Sequence, residues 1–270
     1  MSLDSINFNQ LPIYFKIHFP LDNGTEYVQD SQGSKWVDTA PVYNGDSMKL
    51  YNKNLEFLQD TKFQESYQLG INTGHRFGTG IDIQYRVYVA CWALSQASHL
   101  EGDFVECGVN TGIFSLAAMN YINFNTIDKN FYLFDTYEGI PSDQVSDAEK
   151  PIVEGHYNQF YFDCYELVKK NFSSFPRAIL VRGRVPESLS YVNIDKVSYL
   201  SIDMNIAYPE IAGGVYFWDK LVPGGIILLD DYGWQTHEAQ KTAWDEFARD
   251  RGIQVLTMPT GQGLLIKPYI

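Results

Sequence analysis

From residue 104 to residue 267 the sequence alternates short apolar runs with helical segments, and this alternation narrows the fold more than any other feature. Residues 104–107, 131–135, 178–182, 197–203 and 226–230 read as strands. The run Ile226-Ile227-Leu228-Leu229 has no polar face, as expected of a strand covered on both sides. Residues 114–122, 164–172, 216–221 and 236–251 carry helical spacing between or after these runs. Strands alternating with helices imply an α/β fold, with a mainly parallel sheet buried between two helical layers. Two last strands are expected at 254–258 and 264–267. The link Pro259-Thr260-Gly261-Gln262-Gly263 is short enough for a hairpin, which makes that edge antiparallel.

The chain upstream reads differently. Residues 1–45 mix Asn, Gly, Asp and aromatic residues without a sustained period, and short strands or irregular structure are expected there. Met48, Leu50, Tyr51, Leu55, Leu58 and Phe63 suggest a helix over 46–69 that Gly70 stops, and a second helix is expected over 81–100. The expected organisation is a mainly helical N-terminal extension, 1–74, followed by a cofactor-binding domain, 75–270. With 270 residues, 45% of them hydrophobic, the chain supports one large core. Its net charge of −13, with no dense Lys/Arg run, argues against nucleic acid and for a small, neutral or metal-bridged partner. Cys91, Cys107 and Cys164 fit neither a disulfide framework nor a zinc pattern, which suggests a reducing compartment. No basic-then-apolar leader or membrane-length apolar window occurs, so a cytoplasmic location without membrane partners is expected. A homo-oligomer is left open.

Glu106-Cys107-Gly108-Val109-Asn110-Thr111-Gly112 joins the first of these strands to a helix. Glycines there allow a tight turn and close approach of a ligand, and the helix N-terminus offers free N–H groups. Asp135 closes the next strand and is followed by Thr136; a carboxylate at that place accepts ribose hydroxyls. A dinucleotide site calls for Gly-x-Gly-x-x-Gly, which is not the spacing here. Glu106 would repel a pyrophosphate and suits a cationic sulfonium, so S-adenosylmethionine is favoured over a nicotinamide dinucleotide. Gly183 and Arg184, after the third strand, stand where adenine is contacted in such folds, although Arg184 equally suits a surface ion pair.

Two further strands end in carboxylates, at Asp203 and at Asp230-Asp231. If these strands are neighbours, three negative charges meet at the edge that carries the glycine turn. A hard divalent cation relieves such repulsion, and Mg²⁺ is the first candidate because it keeps waters for substrate oxygens.

Together, Gly-Asp-Phe-Val-Glu-Cys-Gly-Val-Asn-Thr-Gly at 102–112, Phe-Asp-Thr-Tyr-Glu-Gly-Ile-Pro at 134–141 and Leu-Leu-Asp-Asp-Tyr-Gly at 228–233 resemble the macrocin O-methyltransferase family over about residues 75–268. The resemblance implies a Rossmann-like class I methyltransferase fold with a seven-stranded sheet and a reversed final strand. It implies S-adenosylmethionine held at Glu106, Gly108 and Asp135, Mg²⁺ at Asp203, Asp230 and Asp231, and a sugar hydroxyl as acceptor; Asn110, Thr111 and Gly112 of the glycine turn, Thr136 and Asp203 are further expected cofactor contacts. One departure stands out: where the family reads Asp-x-Asp-x-Tyr-Glu, this sequence has Asp203-Met204-Asn205-Ile206-Ala207-Tyr208-Pro209-Glu210, with Asn205 in place of the second acid.

The segment 142–162, with Asp143, Asp147, Glu149, Glu154 and His156 among Gly and Tyr, is long for a connection and reads as an active-site lid. Tyr157, Phe160, Tyr161 and Phe162 then serve as lid anchors, sugar-stacking groups or core. His75 suits either a ligand contact or a cap. Catechol-type enzymes resemble this arrangement but place a lysine where Ile206 stands, so the proton acceptor lies elsewhere. His237, shortly after Asp230-Asp231, is the expected catalytic base, with His156 second. Asn205 leaves one rival of another class, a cofactor-binding scaffold without turnover.

Overall fold

The computed structural model describes residues 41–51, 53–77 and 81–269 and, as backbone, three strands between 17 and 37. The chain divides into two compact units, residues 1–44 with 49–53 and residues 45–48 with 54–270. In the smaller one, β1 (Ile17–Pro20), β2 (Glu26–Gln29) and β3 (Lys35–Val37) form an antiparallel sheet in sequence order. β4 (Tyr43–Gly45) and β5 (Met48–Leu50) pair across a turn in which Asp46 and Ser47 adopt φ of 51° and 61°. The helix expected from residue 46 therefore begins later, because Met48, Lys49 and Leu50 follow the two-residue period of a strand. α1 runs over Thr61–Ile71, where the Asp60 carboxylate accepts from the N–H of Lys62 and Phe63 and fixes the helix start.

Nor does the expected boundary at 74 coincide with the units. α1 belongs to the larger unit, with Phe63 and Tyr67 buried in its core, and Gly70 lies so close to α3 (Ile113–Tyr121) that a Cβ would stand 2.4 Å from the Ile113 carbonyl.

In the larger unit, β6 (Asp103–Cys107), β7 (Phe131–Asp135), β8 (Ala178–Arg182), β9 (Val197–Ile202), β10 (Leu221–Leu229), β11 (Leu256–Thr257) and β12 (Gly263–Ile266) make one sheet of order β11-β12-β10-β9-β6-β7-β8. The strands from β10 to β8 are parallel, and β12 runs against both its neighbours. Alternate strand residues enter opposite cores. Phe104, Leu133, Ile226 and Leu228 face α1, α2 (Gln84–Ala97) and α3, whereas Val105, Phe134, Ile227 and Leu229 pack with Phe217 of α6 (Ala207–Trp218) and Trp244 of α7 (Glu238–Asp250).

α6 starts nine residues before its expected position at 216, and β10 begins where the helix was expected to end. Gly213 and Gly214 weaken the helical pattern, yet a Cβ on Gly214 would lie 2.5 Å from the Trp244 ring, so tertiary packing demands the glycine. The 142–162 segment folds into short helical turns and α4 (Lys150–Gly155), and α5 (Tyr165–Asn171) follows it. Among the described residues no helix is long and apolar enough to cross a membrane.

Candidate active site

The carboxyl ends of β6, β7, β9 and β10 open into a cavity of about 440 Å³, whose walls include Arg86 from α2 and Tyr157 and Tyr161 from the 142–162 segment. Position at the switch between β6 and β9, where strand order reverses, is the usual place for a ligand in an open α/β sheet.

Gly108 turns the chain out of β6 with φ 89°, and a Cβ there would stand 1.9 Å from the Asp203 carbonyl at the end of β9. Only glycine lets the two strand ends come so close. The following loop is held by Asp135, whose Oδ2 accepts from the N–H of Val109 (2.6 Å) and Asn110 (2.7 Å) and whose Oδ1 accepts from the Tyr137 N–H (2.6 Å). Asp135 thus ties the β6 turn to the β7 turn while facing the cavity. Behind the loop, Glu106 is buried and its Oε2 lacks a hydrogen-bond partner. Burial, then the charges of Asp135 and Asp230, pushes this carboxyl well above the usual range. A buried oxygen in want of a donor beside a glycine turn fits a cofactor that carries an amino group and ribose hydroxyls.

Asp203, Asp230 and Asp231 offer carboxylate oxygens that all lie within 4.8 Å of one another. Burial and the charges of Asp230 and Asp231 hold the Asp203 carboxyl well above its ordinary value, and burial with Asp230 lifts Asp231 to about 6. Three hard oxygen donors this close together suit a divalent cation. One protein cation already reaches them: Arg86 Nη1 lies 2.7 Å from Asp230 Oδ2, and its Nε and Nη2 lie 2.9 and 3.0 Å from the two oxygens of Asp46. Gln262 Nε2 donates to the other oxygen of Asp230 at 3.1 Å. Asn205, held at φ 63°, donates to Asp203 Oδ1 (3.2 Å) and to Tyr161 Oη (3.0 Å).

His237 is buried at the cavity wall just before α7, with Nε2 2.5 Å from Tyr157 Oη and 4.0 Å from Asp231 Oδ2. Burial, reinforced by Asp231, raises the Tyr157 phenol above its ordinary range, so it keeps its proton beside the imidazole. Glu149 fastens the same segment by accepting from the Ala207 N–H at 2.7 Å, at the start of α6.

A family model described as Macrocin-O-methyltransferase (TylF) matches residues 86–258, a span that contains the glycine turn, Asp135 and the carboxylate trio. The chain belongs to this family. It is therefore an S-adenosylmethionine-dependent O-methyltransferase by family. Of solved structures, the O-methyltransferase NovP superposes with a TM-score of 0.61 at 17% identity, covering 76% of this chain and 88% of NovP. CalS11, a calicheamicin methyltransferase, gives 0.52 at 16% identity over 85% of this chain and 98% of CalS11. At such identities the likeness is one of fold. Curated proteins give no match to the sequence.

Of the residues expected to form this methyltransferase site, Gly108, Asn110, Asp135, Thr136, Gly183, Asp203, Asp230, Asp231 and His237 line the cavity. Four others do not reach it. Thr111 turns inward to share a 2.8 Å hydrogen bond with Thr73 Oγ1, and Gly112, at φ 97°, lies under the Phe172 ring. Glu106 stays behind the loop, and Arg184 points outward to Asp143 at 2.6 Å, the ion-pair alternative. His75 also misses the cavity and accepts from the Phe77 N–H, and Thr236 gives α7 no side-chain cap. Arg86, Asp46 and Gln262 escaped notice in the sequence. For Arg86 the signal was a lone cation inside the apolar stripe of α2, and for Gln262 a polar residue between two glycines of the last hairpin.

Proposed function

We propose that this chain methylates a hydroxyl of a sugar, glycan precursor or natural-product glycoside, with Mg²⁺ held at Asp203, Asp230 and Asp231. The observation that carries the reading is the meeting, in one cavity, of the carboxylate trio, the glycine turn and His237. When bound, S-adenosylmethionine supplies an electrophilic methyl group and Mg²⁺ lowers the pKa of the acceptor hydroxyl. Asp135 faces the ribose, and Gly108, Asn110, Thr136 and Gly183 border the cofactor. The tyrosines of segment 142–162 roof the cavity as a lid and exclude water. His237 takes the hydroxyl proton at Nε2 once Tyr157 gives up that nitrogen. Beyond this proton transfer the residues act by positioning.

Family membership and the fold shared with CalS11, a calicheamicin methyltransferase, support an acceptor of this class. The three free, buried cysteines accord with a reducing, cytoplasmic compartment. A cofactor-binding protein without turnover is the second reading, favoured by Asn205, whose amide stands beside Asp203 in place of an acid. Transfer of labelled methyl from S-adenosylmethionine to a panel of nucleotide sugars and glycosides, with Mg²⁺ and with EDTA, tests both. Mg²⁺-stimulated transfer to a glycoside supports the first. Tight S-adenosylhomocysteine binding without transfer to any member supports the second.

A further inference from the structure

Asp230 differs from the other members of the trio in having both oxygens engaged, Oδ2 by Arg86 and Oδ1 by Gln262. Arg86 is itself almost wholly enclosed and is held on its other side by the two oxygens of Asp46, from the turn between β4 and β5. Its guanidinium also lies 5.4 Å from the centre of the Trp234 ring, in the loop after β10. A guanidinium does not deprotonate in proteins, so the cation is permanent. A fixed positive charge thus sits in contact with one carboxylate of the trio.

Resting on the metal reading above, we infer that Arg86, clamped by Asp46, is a built-in counter-cation that keeps the trio's affinity for a divalent cation low. The ion meets the three carboxylates together with the positive end of the Arg86–Asp46 pair, because Arg86 lines the cavity and touches Asp230 at 2.7 Å while Asp46 stands behind it. The desolvated setting screens this contribution little. Arg86 and Gln262 also hold the two oxygens of Asp230 in place without any metal, so the site does not need the ion to hold its shape. The ion is then exchangeable, arriving with the acceptor whose hydroxyl completes its shell, rather than resident between turnovers.

The direct probe is Mn²⁺, titrated into full-length protein while the electron paramagnetic resonance signal of the free ion is followed. Arg86→Gln leaves Asp46 and Asp230 buried and unpaired, so the decisive variant is Arg86→Gln with Asp46→Asn, which removes one charge of each sign. Arg86→Lys retains the cation. The double variant is expected to bind Mn²⁺ on the order of tenfold more tightly than wild type, and Arg86→Lys about as weakly as wild type. Adding Asp203→Asn to the double variant is expected to abolish the gain. Equal affinity in wild type and double variant overturns the inference and leaves the metal reading standing, as does a gain that survives Asp203→Asn. Tight binding by Arg86→Lys also overturns it, since charge then does not set the affinity. Binding by the double variant alone supports the inference and overturns metal assistance in the natural protein. Absence of binding in every variant overturns both.

Discussion

The phenolic oxygen of Tyr157 lies 2.5 Å from Nε2 of His237, so the segment over the cavity is fastened to the imidazole beside the carboxylate trio. In the tautomer with its hydrogen on Nδ1, 3.3 Å from the Gln235 carbonyl, Nε2 accepts from the Tyr157 phenol. That tautomer has its basic nitrogen at the cavity. His237→Ala is expected to lower kcat by at least tenfold, and by roughly 10² to 10⁴ where the full contribution of a general base is lost, while S-adenosylhomocysteine still raises the melting temperature. Tyr157→Phe releases the fastening without removing the base. Its expected signature is a raised KM for the acceptor and faster hydrogen exchange over 150–160, with kcat close to wild type. A kcat unchanged in His237→Ala at saturating acceptor moves the base to His156.

Asp135 serves two masters. Its oxygens bind three backbone N–H groups of the loops after β6 and β7, so removing them leaves those donors without a partner. Each orphaned donor costs about 1–3 kcal/mol where water cannot reach it. Water in the cavity these groups line replaces part of the lost acceptor, so Asp135→Ala is expected to lower the midpoint of unliganded protein by an amount equivalent to about 2–4 kcal/mol and to erase the shift given by S-adenosylhomocysteine. Thermal melts with and without the ligand measure both. An unliganded midpoint equal to wild type would contradict the clamp, and a retained ligand shift would contradict the ribose contact.

Asp231 is the cleanest member of the trio to remove, because Arg86 and Gln262 bind Asp230 instead. Asp231→Asn is expected to abolish Mg²⁺-stimulated turnover and to leave S-adenosylhomocysteine affinity within about threefold of wild type, since the metal serves the acceptor. Full activity of the natural protein in EDTA would sink metal assistance.

What the sequence disclosed follows from where each constraint resides. Strands buried on both faces are largely apolar, so β7 and the Ile226–Leu229 end of β10 stand out as runs, and the carboxylates that close or follow β7, β9 and β10 mark the site. α6 was misplaced because its Gly213-Gly214 pair answers to the Trp244 ring, a partner that local periodicity does not contain. Arg86 and Asp230 are separated by 144 residues, and only the sheet order that stacks α2 beside β10 brings them together. Thr111 shows the converse: its place in the glycine motif suggested a ligand, but its hydroxyl turns to Thr73 beneath the loop.

Glu210 makes stability depend on pH in a way that can be assigned to one group. It is buried on α6, with Oε1 accepting from the N–H of Met204 and Asn205 and from Gln240 Nε2, and Oε2 accepting from Trp244 Nε1 at 3.0 Å. Burial outweighs these donors and lifts its pKa from 4.5 to about 7. Between these values the folded chain binds a proton that the unfolded chain has released, so this contribution is fully present below about pH 4.5 and is lost as pH rises through about 7. The loss amounts to about 3 kcal/mol by linkage. Glu210→Gln cannot titrate, and its amide turns an N–H toward one of four donors, at a cost of about 1–3 kcal/mol. Urea unfolding from pH 5 to pH 8 is thus expected to show the variant less stable at pH 5, with the gap to wild type shrinking by up to about 3 kcal/mol as pH rises. Parallel profiles across that range would mean that Glu210 is ionised throughout and that its four donors outweigh its burial.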